Sequence, residues 1–346
     1  MKKLFAIILA LSMVLSMGAC AKQEAVHQPA EPVQTEAATE AATEAAQPAA
    51  PAAPVNVMVL NGTTGFGMAN LMDAASRGEA AQEYAFSVET DASNIVAGLV
   101  NGSADIAALP TNAAAAVYNK TQGGVQVLAL NTLGVLYLVT DGSVQIQSMA
   151  DLEGQTVYAP AQNPTFIFQN IVNANGLTDV TIDNTYAQPA DLNAAVASGQ
   201  VSIAVLPEPM VTVARSQNPD LTVALDLTAE WDKVCTPGSL VQGCVVVRAA
   251  FAQERPEAVA AFLKEYGASI ETMTTDAEGT AAKIEACGIF AKAAVAAKAI
   301  PNCNVCFITG AQMQSALSEF LNIMFSVAPA SVGGAVPAED FYLTVN

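Results

Sequence analysis

Short apolar runs alternate with helix-period segments along the chain from residue 55 onward. VNVMVL (55–60) is apolar apart from Asn56, like a buried strand, and MANLMDAAS (68–76) follows with apolar residues three and four positions apart. The same order continues through YAFSVE, ASNIVAGLVNG, DIAALP and NAAAAVYN. Strands that alternate with helices predict an α/β architecture in which a mostly parallel sheet is covered by helices on both faces.

Two features interrupt this alternation. VLYLVTD (135–141) follows the strand VQVLALN with almost no helix between them, and SMADLEGQTVYAP then begins a second strand–helix series. After the strand GCVVVRAAF (243–251) the periodicity predicts only helices, the last of them GAQMQSALSEFLNIMFSV (310–327). The pattern therefore indicates two similar halves rather than one uniform series.

An internal repeat supports this division. ADIAALPTN (104–112) returns 97 positions later as VSIAVLPEP (201–209), each copy preceded by an apolar helix and a glycine. Ligands bind beyond the carboxyl ends of parallel strands. We therefore predict that Thr111 and Asn112 in one copy and Glu208 in the other line facing rims of a cleft. Two alternatives stay open: the repeat records only how the fold is built, and Glu208 only caps the following turn.

Two loops supply further candidate ligand contacts, since each lies between a predicted strand and a helix. Free N–H groups of GTTGFG (62–67) can hold an anion or a carbonyl, and AQNPTF (161–166) holds the corresponding position in the second half. The alternatives are that the threonines are only helix caps, that the second loop is a plain turn, and that Phe66 and Phe166 belong to the core. The candidate residues are Thr63, Thr64, Gly65, Phe66, Gln162, Asn163 and Thr165.

The N-terminus predicts export and lipidation. A basic MKK precedes the apolar LFAIILALSMVLSM, which is the pattern of a secretory signal over residues 1–19. SMGAC resembles a bacterial lipobox, so Cys20 is the predicted lipid-modified residue; a chance cysteine behind an ordinary signal is the alternative. Residues 20–54 are rich in Ala, Glu, Pro and Thr, a composition typical of a disordered tether.

Charge and histidine content exclude several classes of function. The net charge is −19, and the 13 Lys and Arg are scattered, which excludes a nucleic-acid surface. The single histidine, His27, lies in the tether, so Ser-His-Asp and Cys-His catalysis and imidazole zinc sites are excluded. We predict no catalytic residue, no metal and no cofactor.

The cysteines leave one motif to interpret. Cys303 and Cys306 form a C-x-x-C pair, which suggests zinc or redox chemistry, but a zinc site needs two more ligands. Disulfides or buried thiols are the favoured interpretation. The pairing of these two residues with Cys235, Cys244 and Cys287 stays open.

Several strings together resemble a known family. They are NGSADIAALPTN, SMADLEGQTVYAP, LPEP, VVVRAAFAQERPEAVAAFLKEY and SVGGAVPAEDFY. They are similar to the substrate-binding proteins of ABC importers, in particular the nitrate-, sulfonate-, taurine- and thiamine-precursor-type group, across residues 55–346. The resemblance implies a two-lobed periplasmic-binding-protein-like fold of type II, with crossings near Thr140 and Gln242. Lobe I would comprise 55–141 and 241–346, and lobe II 142–240.

The resemblance also implies a function. The chain would be an extracytoplasmic solute-binding lipoprotein, a monomer anchored through Cys20, that delivers a small organic nutrient to an ABC permease and its ATPase. Because the candidate rims carry no Lys or Arg, we expect a neutral, zwitterionic or heteroaromatic ligand rather than a doubly charged anion. The alternatives are an enzyme on the same fold, resembling a thiamine-precursor synthase, and a sensor or adhesion lipoprotein without transport.

Overall fold

The computed structural model describes residues 53–345, so the predicted signal, Cys20 and nearly all of the tether lie outside the described residues. Within this range the strands are β1 (Val55–Leu60), β2 (Tyr84–Glu89), β3 (Ile106–Pro110), β4 (Val125–Thr132), β5 (Leu136–Thr140), β6 (Thr156–Tyr158), β7 (Thr181–Asp183), β8 (Ile203–Pro207), β9 (Thr222–Asp226), β10 (Gly243–Arg248) and β11 (Val305–Ile308).

The α-helices cover both faces of the sheets that these strands form. They are α1 (Thr63–Phe66), α2 (Ala69–Ser76), α3 (Ala92–Asn101), α4 (Thr111–Thr121), α5 (Asn163–Ala174), α6 (Pro189–Ala197), α7 (Met210–Gln217), α8 (Leu227–Val234), α9 (Ala249–Glu254), α10 (Pro256–Thr275), α11 (Ala277–Ala286), α12 (Ala293–Ala299) and α13 (Gly310–Val327). None of the helices in the described range is long and apolar enough to cross a bilayer.

The strands form two mixed sheets that share one topology over five strands, and the first sheet has β11 as an additional edge strand. The first has the order β11-β4-β10-β3-β1-β2 and the second the order β7-β6-β8-β5-β9. In each sheet one strand adjoining the repeated unit runs antiparallel to it: β10 beside β3, and β5 beside β8. These two strands carry the chain from one sheet into the other, and they explain why the sheets are mixed rather than wholly parallel.

The 97-residue offset extends through both lobes. It separates the first residues of β2 and β7, of α3 and α6, of β3 and β8, and of β4 and β9. Gly102 and Gly199, which follow α3 and α6, both have positive φ angles, 82° and 74°. Only glycine adopts this conformation without strain, so the repeated glycine ends each helix at an equivalent place.

Two expectations about the layout need correction. β5 belongs to the second sheet, so the chain first crosses between lobes at 133–135, before the boundary at residue 141 that the resemblance implied. β11 is a four-residue edge strand in a region where only helices were expected. A run this short carries too little periodicity to distinguish it from a helix segment.

A helix from lobe I closes the side of the molecule where the lobes join. α13 packs against α5 of lobe II, and the Trp231 ring of α8 lies 5.9 Å from the Phe320 ring. Both side chains are fully buried in one hydrophobic cluster that also contains Leu109 and Leu138. Apolar burial therefore holds the lobes together on this side.

Candidate functional site

A cavity of about 340 Å³ lies between the two sheets, at the carboxyl ends of β1, β3 and β8. Its walls come from both lobes, as expected for a ligand that is enclosed between them. Lobe I and the crossings contribute Leu60, Asn61, Gly62, Thr63, Thr64, Pro110, Thr132, Val135, Gln242 and Phe290, and lobe II contributes Asn163, Pro164, Pro189, Pro207, Glu208, Pro209 and Met210.

The walls of this cavity are mostly apolar. Among the described residues that line it there are five prolines, one aromatic residue and no Lys or Arg. Pro110 and Pro207 occupy the last positions of their strands, while Pro164 and Pro189 lie in the first turns of α5 and α6. Because proline has no N–H, these turns offer fewer donors to an anion than ordinary helix ends do.

The loop after β1 reaches the cavity through Thr63 and Thr64. The buried Thr63 hydroxyl donates to the Glu208 carbonyl at 2.7 Å, a hydrogen bond that joins the two lobes. The Thr64 carbonyl accepts from the Asn131 amide at 3.0 Å, which fixes the turn, and Thr64 lines the cavity. Both threonines thus lie where a ligand contact was predicted.

Gly65 and Phe66 lie behind this wall, which corrects their predicted placement. Gly65 is buried against β1, so closely that a side chain would collide with the Leu60 carbonyl. Phe66 is fully buried, and its ring meets Phe290 edge-on at 6.1 Å. Phe66 therefore supports Phe290, the aromatic residue that does line the cavity.

Of the three candidate residues in the segment AQNPTF, only Asn163 lines the cavity. Asn163 is the first residue of α5, and its buried Oδ1 has no hydrogen-bond partner in the described chain. Gln162 is exposed, with φ at 68°. The Thr165 hydroxyl donates to the Pro160 carbonyl at 2.7 Å, inside its own loop. Gln162 and Thr165 do not line the cavity, contrary to expectation, because the loop turns their side chains elsewhere.

Thr111 and Asn112 also lie away from the cavity. Thr111 is fully buried, and its hydroxyl donates to the Val241 carbonyl at 2.7 Å. The Asn112 amide points toward the Ser331 carbonyl, 3.5 Å away. Both side chains face the lobe I interior at the start of α4, so the first copy of the repeat reaches the cavity only through Pro110.

Glu208 lines the cavity, but its carboxylate is already bonded. Oε2 accepts from the Thr212 backbone N–H at 3.1 Å, and Oε1 accepts from the Thr212 hydroxyl at 2.9 Å. Burial raises the pKa of Glu208, while Thr212, Asn302 and Arg215 act in the opposite direction. The carboxylate therefore caps α7, as the alternative interpretation held, and the main chain of Glu208 joins the lobes through its carbonyl.

Gln242 is the polar residue that sequence reasoning missed. It lies on the second crossing, where its side-chain Oε1 accepts from the Val135 N–H at 2.8 Å and its own N–H donates to the Thr132 carbonyl at 2.9 Å. The residue thus ties the two crossings together while lining the cavity. The available signal was a glutamine inside the otherwise apolar segment LVQGCVVV.

The cysteines form no disulfide and no metal cluster in the described residues. Cys303 is buried, with its sulfur 3.8 Å from the Thr63 hydroxyl, and burial raises the pKa of its thiol. Burial likewise raises the pKa of Cys306 to about 12. Burial thus favours the protonated form of both thiols.

Comparisons with known proteins agree with this geometry. The family model of the substrate-binding domain of the ABC-type glycine betaine transport system matches residues 55–282. An ABC transporter structure from Parabacteroides distasonis superposes with a TM-score of 0.73 at 23% identity, covering 85% of this chain and 99% of that one. No curated protein matches the chain.

Two sulfonate-binding proteins share the fold at lower identity. The periplasmic aliphatic sulphonate binding protein SsuA from Escherichia coli superposes with a TM-score of 0.68 at 13% identity, covering 85% of this chain and 92% of that one. The alkanesulfonate-binding protein SsuA from Xanthomonas axonopodis pv. citri, bound to MOPS, superposes with a TM-score of 0.61 at 13% identity, covering 84% of this chain and 96% of that one. These similarities confirm the two-lobed α/β fold.

Proposed function

Because the chain belongs to the family of substrate-binding domains of ABC-type transport systems, with a match over residues 55–282, we propose that it captures a small organic ligand between its lobes. It then presents the closed complex to a membrane permease with its ATPase. The observation that carries this proposal is the cavity of about 340 Å³ between the carboxyl ends of strands from both lobes. A monomer is sufficient for this role.

The proposed ligand is neutral, zwitterionic or heteroaromatic. The described lining offers no Lys or Arg for a sulfonate or a dianion. Glycine betaine, which the family name mentions, carries a quaternary ammonium group, and proteins recognise such groups with several aromatic faces. Here Phe290 is the single aromatic residue among the described lining residues. The walls suit an apolar body instead, with a few hydrogen-bonding groups.

The polar contacts follow from the groups that the protein leaves available. The buried Asn163 Oδ1 lacks a partner in the described chain, so a ligand N–H or O–H donated to it removes a desolvation penalty. Thr64 of lobe I and Gln242 of the second crossing also line the cavity. We assign these three side chains to ligand contact, and Thr63 and Glu208 to closure of the lobes through their hydrogen bond.

Asn163→Ala tests this assignment, with Asn193→Ala as a matched control. Asn193 also has a buried Oδ1 without a partner in the described chain, but it does not line the cavity. The ligand is first identified by native mass spectrometry of the purified protein, and its affinity is then measured by calorimetry. Asn163→Ala should weaken binding about three- to tenfold, the range of one neutral hydrogen bond. Equal affinity in both variants would remove Asn163 from the site.

Closure has its own test. The wild-type protein should become more compact in small-angle X-ray scattering when the identified ligand is added. It should also gain about 2.7 kcal/mol of stability at a hundredfold excess over Kd. Binding without compaction contradicts enclosure between lobes.

We further propose that residues 1–19 are a cleaved signal, that Cys20 carries lipid and that residues 20–54 tether the protein to the outer face of the membrane. The support is the MKK, apolar and SMGAC series, followed by a low-complexity segment. Cys20→Ala should move the protein from the detergent phase to the aqueous phase in partitioning experiments. Unchanged partitioning contradicts lipidation at Cys20.

We propose binding rather than catalysis, since no histidine occurs in the described chain and the Glu208 carboxylate is bonded within α7. Incubation with the identified ligand distinguishes binding from catalysis. Recovery of unaltered ligand fits a binding protein, and formation of a product fits an enzyme. Loss of ligand uptake by cells in which the gene is deleted distinguishes transport from sensing.

A further inference from the structure

A second cavity, of about 520 Å³, opens at the seam between the lobes beside the ligand cleft. On the lobe II side it is lined by Tyr137 of β5 and by Arg215 and Ser216 of α7, and on the lobe I side by Lys298 of α12 and by Asn302. Glu208 lies between this seam cavity and the ligand cleft and lines both. The seam cavity is therefore adjacent to the proposed ligand site but separate from it.

The charge of the seam cavity is the reverse of that of the chain. Asp and Glu outnumber Lys and Arg by 32 to 13 in the whole sequence. In the seam cavity two cationic residues, Arg215 and Lys298, meet a single acidic residue, Glu208. A concave site with an excess of one sign of charge attracts ions of the opposite sign. The seam cavity is thus a place where an anion is attracted to an otherwise strongly acidic protein.

Neither cation forms an ion pair within the described chain. Arg77, Lys233, Arg248 and Lys283 form the ion pairs found there, and Arg215 and Lys298 form none. The carboxylate of Glu208 is held by Thr212 instead, at 2.9 and 3.1 Å. Both cationic groups therefore remain available to a ligand.

The two cations lie on opposite lobes, so an anion that binds both of them connects the lobes. Arg215 lies in the last turn of α7 and Lys298 in the last turn of α12, and α7 and α12 are in contact across the seam. The Tyr137 hydroxyl donates to the Asn302 carbonyl at 2.9 Å, a second hydrogen bond that joins the lobes here. An anion held by both cations therefore bridges lobe I and lobe II.

We propose that the seam cavity binds a small oxyanion, a carboxylate or a phosphate group, between Arg215 and Lys298, and that this binding favours the closed arrangement of the lobes. A guanidinium group presents two parallel N–H donors that match the oxygens of either group, and the lysine adds a point charge. Glu208 is buried whereas Arg215 and Lys298 are exposed, so the Glu208 carboxylate repels the anion toward the exposed rim of the cavity.

The test titrates the protein without its transported ligand. Inorganic phosphate and acetate are added in separate calorimetric titrations to the purified full-length chain, with ionic strength held constant by sodium chloride so that general screening does not change. Saturable binding of phosphate alone assigns the site to phosphates, and binding of acetate alone assigns it to carboxylates. Arg215→Gln and Lys298→Gln should each weaken binding about three- to tenfold, because each removes one charge-assisted contact at a partly solvated site.

Lys120→Gln is the matched control, since Lys120 is an exposed lysine without an ion pair in the described chain, at the end of α4 and outside the seam cavity. Its affinity for the anion should equal that of the wild type. The proposal is wrong if neither probe binds saturably or if Arg215→Gln and Lys298→Gln bind the anion like the wild type. It is also wrong if Lys120→Gln loses as much affinity for the anion as those two variants do. It is also wrong in its second part if bound anion leaves the scattering radius unchanged.

The anion titration is independent of the function proposed above, whereas the effect on the scattering radius rests on the proposed closure of the lobes. Arg215 and Lys298 do not line the ligand cleft, so their substitution tests the seam cavity alone.

Discussion

The units around β3 and β8 share a main-chain frame and differ in the side chains attached to it. After Leu-Pro, the Thr111 N–H donates to the Gln242 carbonyl at 3.1 Å, and the Glu208 N–H donates to the Val135 carbonyl at 2.9 Å. Each acceptor lies on a crossing, just before the antiparallel strand that adjoins the unit. The repeated positions therefore fasten each lobe to the two crossings, which together form the hinge between the lobes. This explains why the two copies resemble each other.

The divergent positions give each copy a different task. The Thr111 side chain bonds to the Val241 carbonyl on the hinge, whereas Glu208 caps α7 and joins the lobes through its carbonyl. At the other end of the strand, Asp105 of the first copy pairs with Arg248 at 2.7 Å, while the second copy has Ser202. Equivalent positions in a repeat thus share backbone roles without sharing side-chain chemistry.

The largest expected effect tests what the copies share. Leu109 and Leu206 are equivalent, fully buried leucines in β3 and β8. Leu109→Ala and Leu206→Ala should each lower the free energy of unfolding by about 2–5 kcal/mol, because each leaves a cavity in a packed core. Urea denaturation followed by circular dichroism measures this. A loss below about 1 kcal/mol in one variant would mean that the two strands are not equivalent in packing.

The next effect concerns the ion pair that only the first copy has. The Asp105 carboxylate accepts from the Asn56 N–H and side-chain amide, both at 3.0 Å, in addition to Arg248. Asp105→Ala leaves these donors without a partner and should cost about 2–4 kcal/mol. Ser202→Ala, at the equivalent position, should change stability by less than about 1 kcal/mol, because it removes no charge. Similar losses in the two variants, compared by urea denaturation, would contradict this asymmetry.

Most of the fold could be predicted from the sequence because its elements carry strong periodic signals. β1, β2 and α13 occupy the segments VNVMVL, YAFSVE and GAQMQSALSEFLNIMFSV that the pattern singled out. The sheet to which β5 belongs was not predictable in the same way. The apolar pattern of a strand indicates that the strand is buried, but it does not indicate its neighbours. The pairing of β5 with β8 and β9 joins residues that are far apart in the sequence.

The site was less predictable than the fold, for a physical reason. The sequence correctly placed the candidate loops at the carboxyl edge of the sheets, because each loop directly follows a predicted strand. Which side chain then points into the cavity depends on local bonds, such as those of the Thr111 hydroxyl to Val241 and the Thr165 hydroxyl to Pro160. Phe290 and Gln242 come from segments outside the repeated units, and no motif marked them.

A pair of threonine substitutions separates hinge from cleft within lobe I. Thr111→Val leaves the buried Val241 carbonyl without its 2.7 Å donor, so it should lower stability by about 1–3 kcal/mol while ligand affinity stays within about twofold. Thr64→Val removes a hydroxyl from the cavity wall and should do the opposite, with affinity about two- to tenfold lower and stability nearly unchanged. If Thr111→Val alone weakens ligand binding, Thr111 reaches the cleft after all.

The smallest expected effect concerns Glu208, because burial raises the pKa of its carboxyl group while the capping hydrogen bonds lower it. Burial raises the pKa of Glu208 above the ordinary value of 4.5. A carboxyl group whose pKa is higher in the folded state contributes stability that is fully present below its unfolded-state pKa and is lost as pH rises through the folded-state pKa. The amide of the Glu208→Gln variant does not titrate. The unfolding free energy of the wild type, relative to that of Glu208→Gln, should therefore be highest near about pH 4 and fall toward about pH 7.

Subtracting the two unfolding curves isolates this one group, because the other carboxylates titrate alike in both proteins. The described chain contains no histidine that would titrate between about pH 5 and 7. Thr111→Val, at the equivalent position of the first copy, should show no such pH dependence relative to the wild type, since a hydroxyl does not ionise in this range. If the difference for Glu208→Gln instead grows with pH, the two Thr212 hydrogen bonds outweigh burial. Glu208 would then act as a stabilising charged cap, and the second copy of the repeat would owe its divergence to α7 rather than to the cleft.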